Sequence, residues 1–108
     1  MKKNTRVLKY GGKKLYIILV YDIMLDKEEN GAKILRNIFK TCKKYLHHIQ
    51  NSVFEGELTN NQLIELKCEL NNYIRKNKDS VILFENQSNK WMNKEVLGKQ
   101  EDRTTNIL

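Results

Sequence analysis

The sequence predicts an α+β domain of ferredoxin-like βαββαβ type, a four-stranded antiparallel sheet with two helices on one face, and three observations predict it. The run Leu15-Tyr16-Ile17-Ile18-Leu19-Val20-Tyr21 is unbroken and rich in β-branched and aromatic residues, which describes a strand buried on both faces. Apolar residues then recur at three- and four-residue intervals in two separate stretches, 34–45 and 63–74, the mark of two amphipathic helices. Finally, strand, helix, strand, strand, helix, strand follow one another within about 70 residues, which is the split β-α-β order.

Each element has its own warrant. In the first helix Ile34, Leu35, Ile38, Phe39, Cys42 and Tyr45 fall on one side, and Asp26 followed by Glu29 resembles a capping box at its start. Residues 46–58 alternate polar and apolar around the bend Gln50-Asn51-Ser52, which reads as two short strands, or one bent strand, around it. Thr59-Asn60-Asn61-Gln62 is a second capping box, with Leu58 and Leu63 at the positions of a hydrophobic staple, and Leu66, Leu70, Tyr73 and Ile74 continue the stripe. Lys76-Asn77-Lys78-Asp79 makes a turn into the last strand, Ser80-Val81-Ile82-Leu83-Phe84-Glu85. The organisation is thus a basic mobile leader over 1–14, the domain over 15–86, and a polar tail over 87–108.

Composition narrows the function classes. A chain of 108 residues has room for one domain and buries only about 65% of the surface it exposes when unfolded. A second copy, packed through the uncovered sheet faces, is therefore an expected way to finish the core, with Trp91-Met92 and Val96-Leu97 either reaching across that interface or folding back on their own subunit. The net charge is +7, but residues 1–14 hold six bases and no acid, so the remainder is near neutral. Cys42 and Cys68 have no CxxC spacing, which indicates neither a zinc site nor a disulfide scaffold. The longest apolar run is far short of the roughly 20 residues that span a bilayer, and no cleavage-site pattern follows it; the expectation is a soluble cytoplasmic protein with no membrane contact.

Asp22 is the sharpest chemical signal, because a carboxylate directly after an apolar strand is held rigidly where the backbone leaves the sheet. An acid there also simply returns the chain to water. One carboxylate alone makes a poor Mg²⁺ site, and a twofold axis near Asp22 would supply the second. On the first helix, Lys33, Arg36, Lys40, Lys43 and Lys44 form a stripe with no acid between residues 30 and 45. Such a stripe is either a solvated face or a track for phosphates, which Lys and Arg contact without reading bases. His47 and His48 leave opposite faces of a strand and cannot share a metal. Cys42 reads as a buried small hydrophobe and Cys68 as partly exposed, while Glu55 and Glu57 share one strand face.

At Tyr21-Asp22-Ile23, and again at Gln50-Asn51-Ser52-Val53-Phe54-Glu55, the chain resembles the CRISPR-associated protein 2 family, the small subunit of the spacer-acquisition machinery, over residues 15 to 97. The resemblance implies a ferredoxin-like homodimer whose first-strand aspartates, here Asp22, face each other and bind a divalent metal such as Mg²⁺. It places Tyr21, Ser52 and Phe54 near the metal cleft or its supporting shell, and Arg36 at the basic position of the first helix. The implied activity is metal-dependent endonuclease cleavage of single-stranded RNA or of duplex DNA in CRISPR adaptation. The implied partners are CRISPR-associated protein 1 and the spacer duplex. The alternative is a non-catalytic bridge that holds duplex DNA. The leader departs from the family pattern, which starts almost at the first strand. Two further readings use the same fold, a small-molecule-sensing regulator and a toxin-type ribonuclease; the acid-free helix face argues against the first.

Overall fold

The computed structural model describes residues 13–87 and 93–99; the mobile-leader reading of 1–12 and the Trp91-Met92 contact lie outside the described residues. Strand β1, Lys14–Asp22, is central. Helix α1, Gly31–Tyr45, leads into the hairpin of β2, His47–Gln50, and β3, Val53–Thr59. Helix α2, Asn60–Asn71, precedes β4, Ser80–Asn86. The strand order is β2-β3-β1-β4, antiparallel throughout. This is the architecture expected from the element order.

Alternation along β1 decides what each sheet face is made of. Ile17, Leu19 and Tyr21 are buried against the helices, with Leu15 packed partly behind them. Phe54 and Leu58 of β3, Ile38 and Cys42 of α1, and Leu63, Leu66 and Leu70 of α2 complete that core. The opposite face carries Ile18 and Val20, only partly buried, beside Ile82 and Phe84 of β4, which are half exposed. In register, Val20 lies between Val53 and Ile82, and Ile18 between Glu55 and Phe84. One face of the sheet is thus packed, and on the other no helix among the described residues covers the apolar strip. No helix among the described residues is long and apolar enough to cross a membrane.

The tail meets the uncovered face of its own chain. Lys94 pairs with Glu55 at 2.6 Å, and the Tyr16 hydroxyl donates to the other oxygen of the same carboxylate. Val96 and Leu97 lie beside Ile18, Ile49 and Val53, where a shallow cleft forms, yet both stay exposed.

Helix starts show which local signals governed. At α2 the capping box forms as expected: the Thr59 hydroxyl accepts from the Gln62 N–H and the Gln62 side chain from the Thr59 N–H. Leu58 and Leu63 are both buried. At α1 the Asp26–Glu29 pair does not cap the helix. The Asp26 carboxylate accepts from the Glu29 N–H within a turn, while the N-cap is Asn30, in the left-handed region at φ 56°, whose side chain accepts from Lys33. Asp26 is instead taken by cations from another part of the chain, described below.

Gly31, the first residue of α1, is buried because the loop folds back onto it: a Cβ there would stand 2.1 Å from the Met24 carbonyl oxygen and 2.8 Å from the Asp26 nitrogen. In an open helix, glycine to alanine gains up to about 1 kcal/mol. Here backbone occupies the space, so the sign reverses. Gly31→Ala is expected to lower stability by roughly 2 kcal/mol or more, read as a fall in the urea midpoint at unchanged slope.

Candidate active site at the end of the first strand

The end of β1 is where the sheet stops and three segments meet. Beyond Val20, paired with Val53, the Tyr21 N–H donates to the Ser52 carbonyl in the β2–β3 turn at 3.1 Å. Asp22 lies opposite Ser80, the first residue of β4. It is exposed and on the uncovered face, while Tyr21 and Ile23 on either side of it are buried on the helix side. Period two in the strand makes this unavoidable.

The loop that follows is held by a buried charge cluster. The Arg75 guanidinium pairs with Asp79 through Nε and Nη2, both at 2.9 Å, and with Asp26 through Nη1. It also donates to the Met24 carbonyl at 2.7 Å. Asp79, whose side chain is wholly buried, accepts in addition from the backbone N–H groups of Met24 and Arg75. Lys78 reaches Asp26 at 2.6 Å and Glu29 at 3.1 Å. Residues 23–30 and 75–79 are thereby tied into one block that fixes both the exit from Asp22 and the entry to β4. The Lys78 and Arg75 cations hold the Asp26 carboxyl well below the usual carboxylate range, and Arg75 does the same for Asp79.

On the helix side of the same strand end is a groove of about 920 Å³ between α1 and the β2–β3 turn. Tyr21, Phe39 and His48 give it aromatic walls, and Arg36 and Lys40 stand on its helix side. Phe39 meets His48 edge to face at 5.0 Å, and His48 lies 4.8 Å from the Phe54 ring. Burial pushes the Tyr21 phenol up to about 12, so it stays a neutral hydrogen-bond donor.

The structure therefore separates the residues expected near one cleft. Asp22 and the Ser52 backbone lie together at the strand end. Phe54 is fully buried in the helix-side core, touching Tyr21, Phe39 and His48, so it supports the site through packing. Of the basic stripe, Lys44 is paired with Glu69 of α2 and Lys43 sits over the Phe39 ring at 5.8 Å. Lys33, Arg36 and Lys40 are exposed and have no acid within ion-pair distance among the described residues. His47 and His48 do leave opposite faces, exposed and buried respectively, and the His48 Nε2 lies 2.8 Å from the Asn51 carbonyl. Cys42 is buried, its thiol pushed up to about 12, and Cys68 is exposed.

Among the described residues no three His, Cys, Asp or Glu side chains gather as a metal would need. At the end of β1 one chain presents a single exposed carboxylate, Asp22, whose oxygens are of the hard kind that Mg²⁺ takes.

Comparison with known proteins follows this geometry. Residues 15–94 match the family of CRISPR-associated protein Cas2. The chain belongs to the Cas2 family. A relative named CRISPR-associated endoribonuclease Cas2 from Fusobacterium nucleatum is 53% identical over all 108 residues, covering the whole of both chains. Another Cas2 endoribonuclease, from Moorella thermoacetica, is 39% identical over 92 residues, which is 85% of this chain and all of that one. Among solved structures, Streptococcus pyogenes Cas2 superposes with a TM-score of 0.66 at 30% identity, covering 77% of this chain and 99% of that one. A further Cas2 crystal structure gives 0.69 at 32% identity, covering 82% and 92%.

The Fusobacterium match runs through residues 1–14, so the leader lies within the aligned length. The Arg75 cluster, by contrast, had no sequence signal beyond a charged turn, since its partners are about 50 residues apart in a chain whose helix and strand periodicities are local.

Because Asp26 and Asp79 have lowered folded-state pKa values, their pairing stabilises the fold above the unfolded carboxylate value of about 3.9 and is lost as pH falls through the folded values. Thermal stability should be level from neutral pH to about 4 and drop below it. Arg75→Met leaves Asp79 charged and buried without its partner, so its loss of Tm should be largest at pH 7 and shrink towards pH 3.

Proposed function

We propose that this Cas2-family chain is a divalent-metal-dependent endonuclease of CRISPR adaptation, cutting phosphodiester bonds at a pair of Asp22 carboxylates from two subunits. The observation that carries the proposal is the placement of Asp22: exposed, at the rigid end of the central strand, on the same face as the uncovered apolar strip. A second copy seated on Ile18, Val20, Ile82 and Phe84 buries that strip and brings a second Asp22 to the first. Two like charges so placed favour a cation between them. The Asp22 pair would hold a Mg²⁺ ion, which would supply Lewis-acid polarisation of the scissile phosphate, and the Arg75 cluster keeps the loop behind the pair from shifting. Since the curated relatives are named endoribonucleases, single-stranded RNA is the substrate to test first, with duplex DNA beside it.

The second reading is a non-catalytic bridge that carries duplex DNA alongside CRISPR-associated protein 1. Its support is the set Lys33, Arg36 and Lys40, three cations without acidic neighbours among the described residues on one face of α1. Such a face contacts phosphates irrespective of sequence.

Cleavage of labelled RNA and duplex DNA by wild type and Asp22→Asn, with Mg²⁺ and with EDTA, separates the two. The nuclease reading expects wild type with Mg²⁺ alone to cut, and Asp22→Asn to fall to background. Equal cutting by both proteins sinks it. The bridge reading expects duplex affinity to fall linearly with salt on logarithmic axes, and replacing Lys33, Arg36 and Lys40 by Ala to reduce that slope by about three.

A further inference from the structure

We propose that the groove beside Tyr21 receives one unpaired nucleotide of single-stranded RNA, its base against Leu35 and Phe39 and its phosphates on Arg36 and Lys40. The proposal rests on the nuclease reading for its choice of RNA, and otherwise on the shape and charge of the groove itself. Two adjacent rows of α1 build one side: Leu35 and Phe39 are one turn apart and apolar, while Arg36 and Lys40 are one turn apart and cationic. Residues four apart on a helix are neighbours, so an apolar shelf runs directly beside a cationic rail. The volume of about 920 Å³ is within the roughly 300–1,000 Å³ of ligand sites.

The chemistry selects an anion with a flat apolar part. Arg36 and Lys40 have no acidic partner among the described residues, so both are available to an anion from outside the chain. An apolar anion with no polar edge leaves Asn51 and Ser52, at the far end of the groove, without a role, whereas a nucleobase edge and a ribose hydroxyl suit them. Asn51 is held in the left-handed region at φ 42°, which turns the hairpin at this point. Single-stranded RNA is read in this way, by splayed bases on aromatic or guanidinium surfaces. A duplex offers only stacked, paired bases, which cannot enter. Tyr21 lines the groove, and Asp22 follows it on the opposite face of the same strand end.

The test is binding measured by fluorescence anisotropy in EDTA with Asp22→Asn protein, so that no cleavage intervenes. The ligands are a short labelled RNA strand, the same strand carrying abasic positions, and the corresponding duplex. The expected result is that the single strand binds about tenfold or more tighter than either the abasic strand or the duplex, the scale of one to two stacked bases. Leu35→Gln, which adds no charge to the helix face, should reduce that advantage with little effect on duplex binding, and Arg36→Ala with Lys40→Ala should weaken the single strand further and flatten its salt dependence. Equal affinity for intact and abasic strands overturns the groove whatever the variants do, and so does a duplex that competes as well as the single strand. If wild type with Mg²⁺ fails to cut this RNA while the binding pattern holds, the nuclease reading fails and the groove stands.

Discussion

The Arg75 guanidinium is the interaction on which the strand end depends. Two loops from distant parts of the chain, 23–30 and 75–79, have no regular hydrogen bonding of their own that would fix them to each other. Arg75 joins them by pairing with Asp79 and Asp26 and by donating to the Met24 carbonyl. Asp79 answers by accepting from the Met24 N–H. Every buried charge in the cluster has a partner, and no buried side-chain polar atom among the described residues is left without one. A buried ion pair is weak evidence for net stability, since desolvation offsets the attraction. Its contribution here is geometric: it fixes where β1 ends, where α1 begins and where β4 enters.

With that end fixed, strand alternation does the rest. Tyr21 and Asp22 are successive residues, yet one faces the helices and the other the uncovered face. The site is therefore two-sided, with the carboxylate on one face of the sheet and the aromatic groove on the other. Ser52 connects the two, because its carbonyl holds the Tyr21 N–H while its residue also lines the groove. The segments that resemble the family, Tyr21-Asp22-Ile23 and Ser52-Val53-Phe54, are thus neighbours through the sheet, and Phe54 belongs with them as the packed base under Tyr21.

Legibility in the sequence followed the range of the forces involved. The strands, both helices, the hairpin bend and the capping box at Thr59 are set by periodicity and by side chains bonding to their own backbone neighbours, and all could be read in windows of a dozen residues. The start of α1 could not. Asp26 and Glu29 have the spacing of a capping box, but Arg75 and Lys78 compete for Asp26 from about 50 residues away, and a charge-assisted pair outweighs a local cap. The stripe Lys33, Arg36, Lys40, Lys43 and Lys44 was visible as a helical face, but the sequence could not tell that Glu69 would neutralise Lys44 or that Phe39 would take Lys43. Phe54, expected near the cleft or in its supporting shell, lies in the helix-side core under Tyr21, a placement that only the strand register could give.

The two faces also let the proposed dimer and the proposed nucleotide groove coexist on one small chain. In the proposed dimer the second copy covers Ile18, Val20, Ile82 and Phe84, all on the face opposite the helices, so assembly leaves the α1 side open. Each subunit then keeps its own groove, and the two grooves are related by the same axis that pairs the Asp22 residues. A strand entering from either groove reaches the shared carboxylates by turning round the end of β1, because Tyr21 and Asp22 face opposite sides of the sheet. The exposed cations of α1 flank that route. In this arrangement substrate capture and metal binding use different faces of the same strand, so neither has to give up surface to the other, and the rigidity supplied by Arg75 serves both.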